Sequence, residues 1–91
     1  MKQLTDAHIH ELSRILDKNH MVTVGLNLGI DLNMMHSIFN QYNSLTDAIQ
    51  HILLDWTATK YTRQQAYHEM VTGLLKAGLW SIAHCVLGHN N

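Results

Sequence analysis

The sequence predicts an all-α domain of about six short helices. Proline is absent from the 91 residues, so no pyrrolidine ring interrupts a helical ladder from within. Apolar positions recur at intervals of three and four rather than two, which is the period of a helix face and not of a strand. Asp, Ser and Thr at the starts of segments, with Gly and Asn at their ends, divide that pattern into elements.

Thr5 is the expected N-cap of the first helix, which places Ile9, Leu12, Ile15 and Leu16 on one face and stops near Asn19. A second helix is expected over roughly 21–28, with Val22, Leu26 and Leu28 apolar and Gly29 standing where a left-handed residue closes a helix. Asp31 caps the third, in which Met35, Ile38 and Phe39 share a side and Tyr42 closes the last turn. Ser44-Leu45-Thr46-Asp47 is close to a capping box, with Asp in place of Glu, and opens a helix that buries Ala48, Ile49, Ile52, Leu53 and Trp56. Thr62-Arg63-Gln64-Gln65 is a second capping box, starting a helix with Ala66, Met70, Leu74 and Leu75 inward and Gly78 as its stop. The sixth begins at Leu79, turns Ile82, Ala83, Val86 and Leu87 inward and ends at Gly88, after which residues 89–91 are expected to fray. Short connections make successive helices close neighbours and leave no room for an inserted catalytic lid. The chain reads as one domain over 1–91 with its core at about 4–88.

Composition narrows the function classes. Apolar residues are 46% and charged residues 14%, a mixture that buries a core instead of staying disordered. The apolar runs fall far short of the roughly 20 residues that cross a bilayer, and no basic-then-apolar leader opens the chain, so neither a membrane nor a secretory role is expected. The single cysteine, Cys85, forms no internal disulfide, which suits a reducing compartment and predicts a cytoplasmic location. Net charge is −1 and the six Lys and Arg are scattered, so the basic stripe that phosphate backbones require is missing and nucleic acid is not an expected partner. Charge is nevertheless segregated, −3 over residues 1–55 against +2 over the remainder, a basis for head-to-tail attraction between molecules.

Eight histidines raise the question of metal or acid–base chemistry. Their spacing argues against both. His8 and His10 point about 200° apart on a helix, and neither His-x-x-x-His nor Cys-x-x-Cys occurs. His84 and Cys85 also diverge, and Cys85 flanks the apolar side of the sixth helix, where a buried thiol is inert. No serine has a nucleophile-elbow context and no glycine-rich phosphate loop is present, so catalysis, metals and cofactors are not expected. The alternative is a His-rich helical domain with a metal- or pH-responsive regulatory role. Full protonation would carry the chain from −1 to +7, making charge-dependent assembly vary between about pH 5 and 7. Met1, Met21, Met34, Met35 and Met70 read as core filling rather than as an adaptable binding groove. The inward side of the sixth helix is filled by Leu79, Ile82 and Ala83, which leaves Trp80 on a flank; tryptophan is enriched at interface hot spots.

Three stretches carry a family resemblance: Leu28-Gly29-Ile30, Ile52-Leu53-Leu54-Asp55-Trp56, and Gly73-Leu74-Leu75-Lys76-Ala77-Gly78-Leu79 followed by Ile82-Ala83. With the order of the helices, they resemble the death-domain superfamily over nearly the whole chain. They match its leucine-glycine step between helices two and three, its leucine-rich helix four ending in tryptophan, and its glycine turn into helix six. The tryptophan and the short third helix resemble a death domain proper more than a caspase-recruitment, death-effector or pyrin domain. His20-Met21-Val22 departs from the pattern, since many death domains begin helix two with tryptophan.

The resemblance implies a six-helix antiparallel bundle in the death-fold Greek-key arrangement. It implies a non-enzymatic signalling adaptor, of apoptosis or innate immune signalling, whose partner is another death-fold domain or a further copy of itself. It also implies three asymmetric contacts. Asp6, His10, Arg14 and Asp47 would meet Asp31 and Asn33; Asp55, Lys60 and Tyr61 would meet Lys76 and Trp80; His36, Asn40 and Gln41 would meet neighbouring loops.

Overall fold

Helices begin in this chain where a side chain can take up the first free backbone N–H groups. The computed structural model describes residues 2–90 and contains, among them, six helices and no strand. They are α1 (Asp6–Ile15), α2 (Lys18–Asn27), α3 (Leu32–Gln41), α4 (Leu45–Ala58), α5 (Arg63–Lys76) and α6 (Trp80–Leu87). Thr5, Asp17, Asp31, Ser44 and Thr62 cap the first five, each accepting from the N–H three residues on.

Asp17 changes the expected boundary between the first two helices. Its Oδ1 accepts the His20 N–H at 2.7 Å, so α1 stops at Ile15 and α2 starts three residues before Met21. A short carboxylate competes for backbone N–H groups and is worth more as a cap than inside a helix. α1 also completes a capping box of unusual composition, for the Thr5 N–H donates to His8 Nδ1 while the His8 N–H donates to Thr5 Oγ1, both at 3.1 Å. At α5 only half the expected box forms, because the Gln65 amide reaches forward to Glu69 instead of back.

α2 and α5 close alike. Gly29 and Gly78 take φ of 81° and 76°, and the following N–H groups reach back from Ile30 to the Gly25 carbonyl at 2.8 Å and from Leu79 to that of Leu74 at 2.9 Å. In the segment 89–91, expected to fray, the His89 N–H reaches the Ala83 carbonyl at 3.1 Å and the His89 carbonyl lies 3.0 Å from His84 Nδ1; Asn91 lies outside the described residues.

α1 packs on α4 and α6, α2 on α3 and α5, α3 also on α4, and α5 on α6. The chain therefore crosses between non-consecutive neighbours. The core holds the expected Ile9, Leu12, Met35, Ile49, Ile52, Leu53, Met70 and Leu74, together with Tyr67, Val71 and Leu4, which the helical period did not single out. Leu4 is drawn in by a backbone strap, its N–H donating to the Arg63 carbonyl at 2.9 Å while Arg63 Nη1 donates to the Leu4 carbonyl at 3.0 Å. Ile15, expected inside, is exposed because α1 ends there, and Leu26 is exposed as well. No helix among the described residues is long and apolar enough to cross a membrane.

α2 and α3 approach closely at Gly25, where a Cβ would stand 2.4 Å from the Met35 sulfur, itself fully buried. Alanine would add about 1 kcal/mol of helix propensity, but overpacking a filled core costs about 1–3 kcal/mol. Gly25→Ala is therefore expected to lower the urea midpoint, and adding Met35→Ala is expected to make the two substitutions strongly non-additive in the same unfolding measurement.

Candidate interaction surfaces

The turn between α2 and α3 lies against the C-terminal end of α4, and between them runs an open groove of about 310 Å³. Its floor is apolar, made by Leu28, Ile30, Met34 and Trp56. The Trp56 indole N–H donates to the Leu28 carbonyl at 3.2 Å, which satisfies a helix-end carbonyl and fixes the ring as one wall. Asp31 and Asp55 stand on the rim. Each uses one carboxylate oxygen locally, Asp31 on the Met34 N–H at 2.9 Å and Asp55 on His51 Nε2 at 3.0 Å.

Lys60 also lines the groove, but not as the free contact that the resemblance implied. Its ammonium lies 2.8 Å from Glu69 Oε1 and 5.0 Å from the centre of the Trp56 ring, and the side chain is only 19% exposed. It is a clamp between the end of α4 and α5. Tyr61, next to it, is 99% exposed.

The α5–α6 corner presents Trp80, 50% exposed, four residues after Lys76, which has no ion-pair partner among the described residues. The seven Asp and Glu side chains of the sequence all lie between Asp6 and Glu69, so this corner follows the last of them in the chain. The resemblance implies one contact surface for Asp31 and another for Asp55, and the fold joins them on one groove. Asp6 is drawn to Arg63 at 3.1 Å, and Arg14 lies 3.8 Å from Glu11. His10 and Asp47 are exposed on the neighbouring helices α1 and α4, Asn33 is exposed at the start of α3, and His36, Asn40 and Gln41 are exposed along it.

Among the described residues no group of three or more His, Cys, Asp or Glu side chains stands close enough to share a metal ion. Cys85 is exposed, contrary to its expected burial, because α6 turns Ala83 and Leu87 into the core and residues 84 and 85 outward. His84 Nδ1 is turned to the His89 carbonyl. Comparison of the chain with protein-family models, curated proteins and solved structures finds no match.

The Lys60 hydrogen bond holds the Glu69 carboxyl below its ordinary value of 4.5, with Gln65 contributing against the opposing effect of partial burial. A carboxyl held low in the folded state stabilises the fold above its ordinary value, and that stabilisation is lost as pH falls through the folded value. The stability gap between wild type and Glu69→Gln, read by urea unfolding, is expected to be larger at about pH 7 than at about pH 3. Lys60→Glu sets two carboxylates together and is expected to destabilise the fold itself.

Proposed function

We infer that the chain is a non-enzymatic protein-interaction domain of death-fold type, assembling in the cytoplasm with another death-fold domain or with further copies of itself. The observation that carries this reading is a complementary pair of surfaces at different places on one molecule. One is the apolar groove with Asp31 and Asp55 on its rim; the other is the corner that offers Trp80 with Lys76, which has no ion-pair partner among the described residues. A cationic, aromatic corner complements an apolar, acidic groove in polarity and charge.

The helix order adds support. Packing of α1 on α4 and α6, and of α2 on α5, favours a crossed arrangement such as the death-fold Greek key over a bundle that runs up and down in sequence order. Because groove and corner are different residues, the contact is head-to-tail, and such contacts extend into rings or filaments when the rotation permits. A reducing location accords with the lone, exposed Cys85. Signalling through such a domain needs no chemistry of its own: clustering raises local concentration until weak contacts persist.

Molar mass by size-exclusion chromatography with light scattering, over a concentration series at neutral pH, is expected to rise with concentration. Trp80→Ala is expected to weaken association by about 2 kcal/mol, roughly 30-fold, as for a hot-spot aromatic. Asp55→Lys and Lys76→Glu chains are each expected to stay monomeric alone and to associate when mixed. A mass that stays monomeric throughout would leave a different death-fold chain as the partner, and failure of the mixed variants to associate would remove the groove-to-corner contact.

A further inference from the structure

Of the histidines in the described residues, His51 alone has both ring nitrogens engaged. Nε2 lies 3.0 Å from Asp55 Oδ2, and Nδ1 lies 3.0 Å from the Tyr42 hydroxyl, with the two rings 5.3 Å apart. In the neutral ring Nε2–H donates to the carboxylate, and Nδ1 accepts the phenolic proton. A second proton enters at Nδ1. That N–H then donates to the phenol oxygen, whose own proton turns outward, as the exposure of Tyr42 allows. The Nε2–H bond to Asp55 becomes an ion pair.

Both protonation states thus keep two hydrogen bonds between the same heavy atoms, because a phenol can accept as well as donate. Only the charge changes. His8 contrasts with it, since its Nδ1 accepts from the backbone N–H of Thr5. That donor has no lone pair to offer a protonated ring.

We propose that the Tyr42–His51–Asp55 chain is a pH switch on the groove, setting the charge of its rim without moving its walls. With His51 neutral, Asp55 presents a full negative charge to a docking cation. With His51 protonated, the rim carries a neutral pair, so docking of the Lys76 corner is strong while the ring is neutral and weakens once acid protonates it. The direction of the pH effect on assembly rests on the reading of the preceding subsection; the switch itself rests on the three side chains.

No other charged group contacts His51 within the described residues. On α4 itself Asp47 stands one turn earlier. α3 brings Tyr42 and His36, the latter beside Phe39 with ring centres 6.4 Å apart. α1 brings Asp6, His8, His10, Glu11 and Arg14, of which Asp6 pairs with Arg63, Glu11 with Arg14 and His8 with its own cap. Asp31 shares the groove rim.

The test is the dissociation constant of the self-complex, from sedimentation equilibrium at about pH 7.4 and about pH 5.8, for wild type, His51→Gln and His68→Gln. Glutamine can hydrogen-bond but does not titrate. The weakening in acid is expected to be up to about fivefold smaller in His51→Gln than in wild type, the worth of one exposed ion pair, while His68→Gln should behave as wild type. Full wild-type pH dependence in His51→Gln, or association that tightens in acid, overturns the switch. A second readout separates this from a failure of self-docking. In monomeric protein, the NMR signals of the Trp56 indole N–H and the Met34 methyl, both in the groove, are followed through the titration of His51. If no complex forms at any pH but these signals follow His51 and are unmoved in His51→Gln, the self-docking reading fails and the switch stands. If they ignore His51, the switch fails.

Discussion

Leu28 is held from three directions, and the groove depends on its position. Its carbonyl accepts the Trp56 indole N–H from α4, and its side chain lies against Gly73 of α5, where a Cβ would meet Leu28 Cδ2 at 2.8 Å. Its backbone is the last before Gly29 turns left-handed and sends the chain into α3. Burial of the indole and the close approach of α2 to α5 together place the α2–α3 turn beside the end of α4. Without them Ile30, Asp31 and Met34 would have no wall opposite, and the acidic rim would be two separate surface carboxylates.

The helices were legible because capping is local. Thr5, Asp31, Ser44 and Thr62 each bond a backbone group three residues on, and a contact of that range is written in adjacent letters. Asp17 was missed because Ile9, Leu12, Ile15 and Leu16 keep a helical period up to it, and periodicity does not register a cap inside a continuous stripe. The imidazole of His8 in a capping box follows no sequence signature. The site was legible only in part. Trp80 could be read as exposed, since the inward side of α6 was already filled. Lys60 could not be read as clamped, since Glu69 lies nine residues on, across a turn, at no helical spacing. Nor could the groove, whose walls come from the α2–α3 turn and from residues more than twenty positions later.

Exposed ion pairs add little to stability, generally under about 1 kcal/mol each. Their larger consequence here is to decide which charges stay available to a partner. Lys2 is turned to the Gly88 carbonyl at 2.6 Å, Lys18 lies over Phe39, Lys60 is taken by Glu69 and Arg63 by Asp6. Arg14 keeps a long contact with Glu11 on its own helix, and among the described residues Lys76 has no carboxylate partner. Among the acidic groups the opposite holds at the groove. Asp31 and Asp55 are engaged only by a backbone N–H and by a titratable ring, so their charge still reaches outward. A chain of net charge −1 thereby has two surfaces of opposite character.

Leaving Trp80 half outside has a cost, for burying a large apolar side chain is worth about 1.5–3 kcal/mol in domains whose total stability is only about 5–15 kcal/mol. The start of α6 is also the one helix start without a side-chain cap, as Leu79 occupies the capping position. Serine or threonine there would satisfy a free N–H and gain about 1 kcal/mol. Leu79 serves the corner instead. It packs against the core, and its N–H closes α5 through the Leu74 carbonyl, so the turn is pinned on both sides of Gly78. Trp80 is then carried on the first residue of a helix whose origin is fixed. An aromatic side chain presented this way has little backbone freedom to lose when it is covered, which lowers the entropic cost of docking. The corner gives up local stability and holds an exposed aromatic side chain on a rigid origin, which is what the proposed docking contact requires.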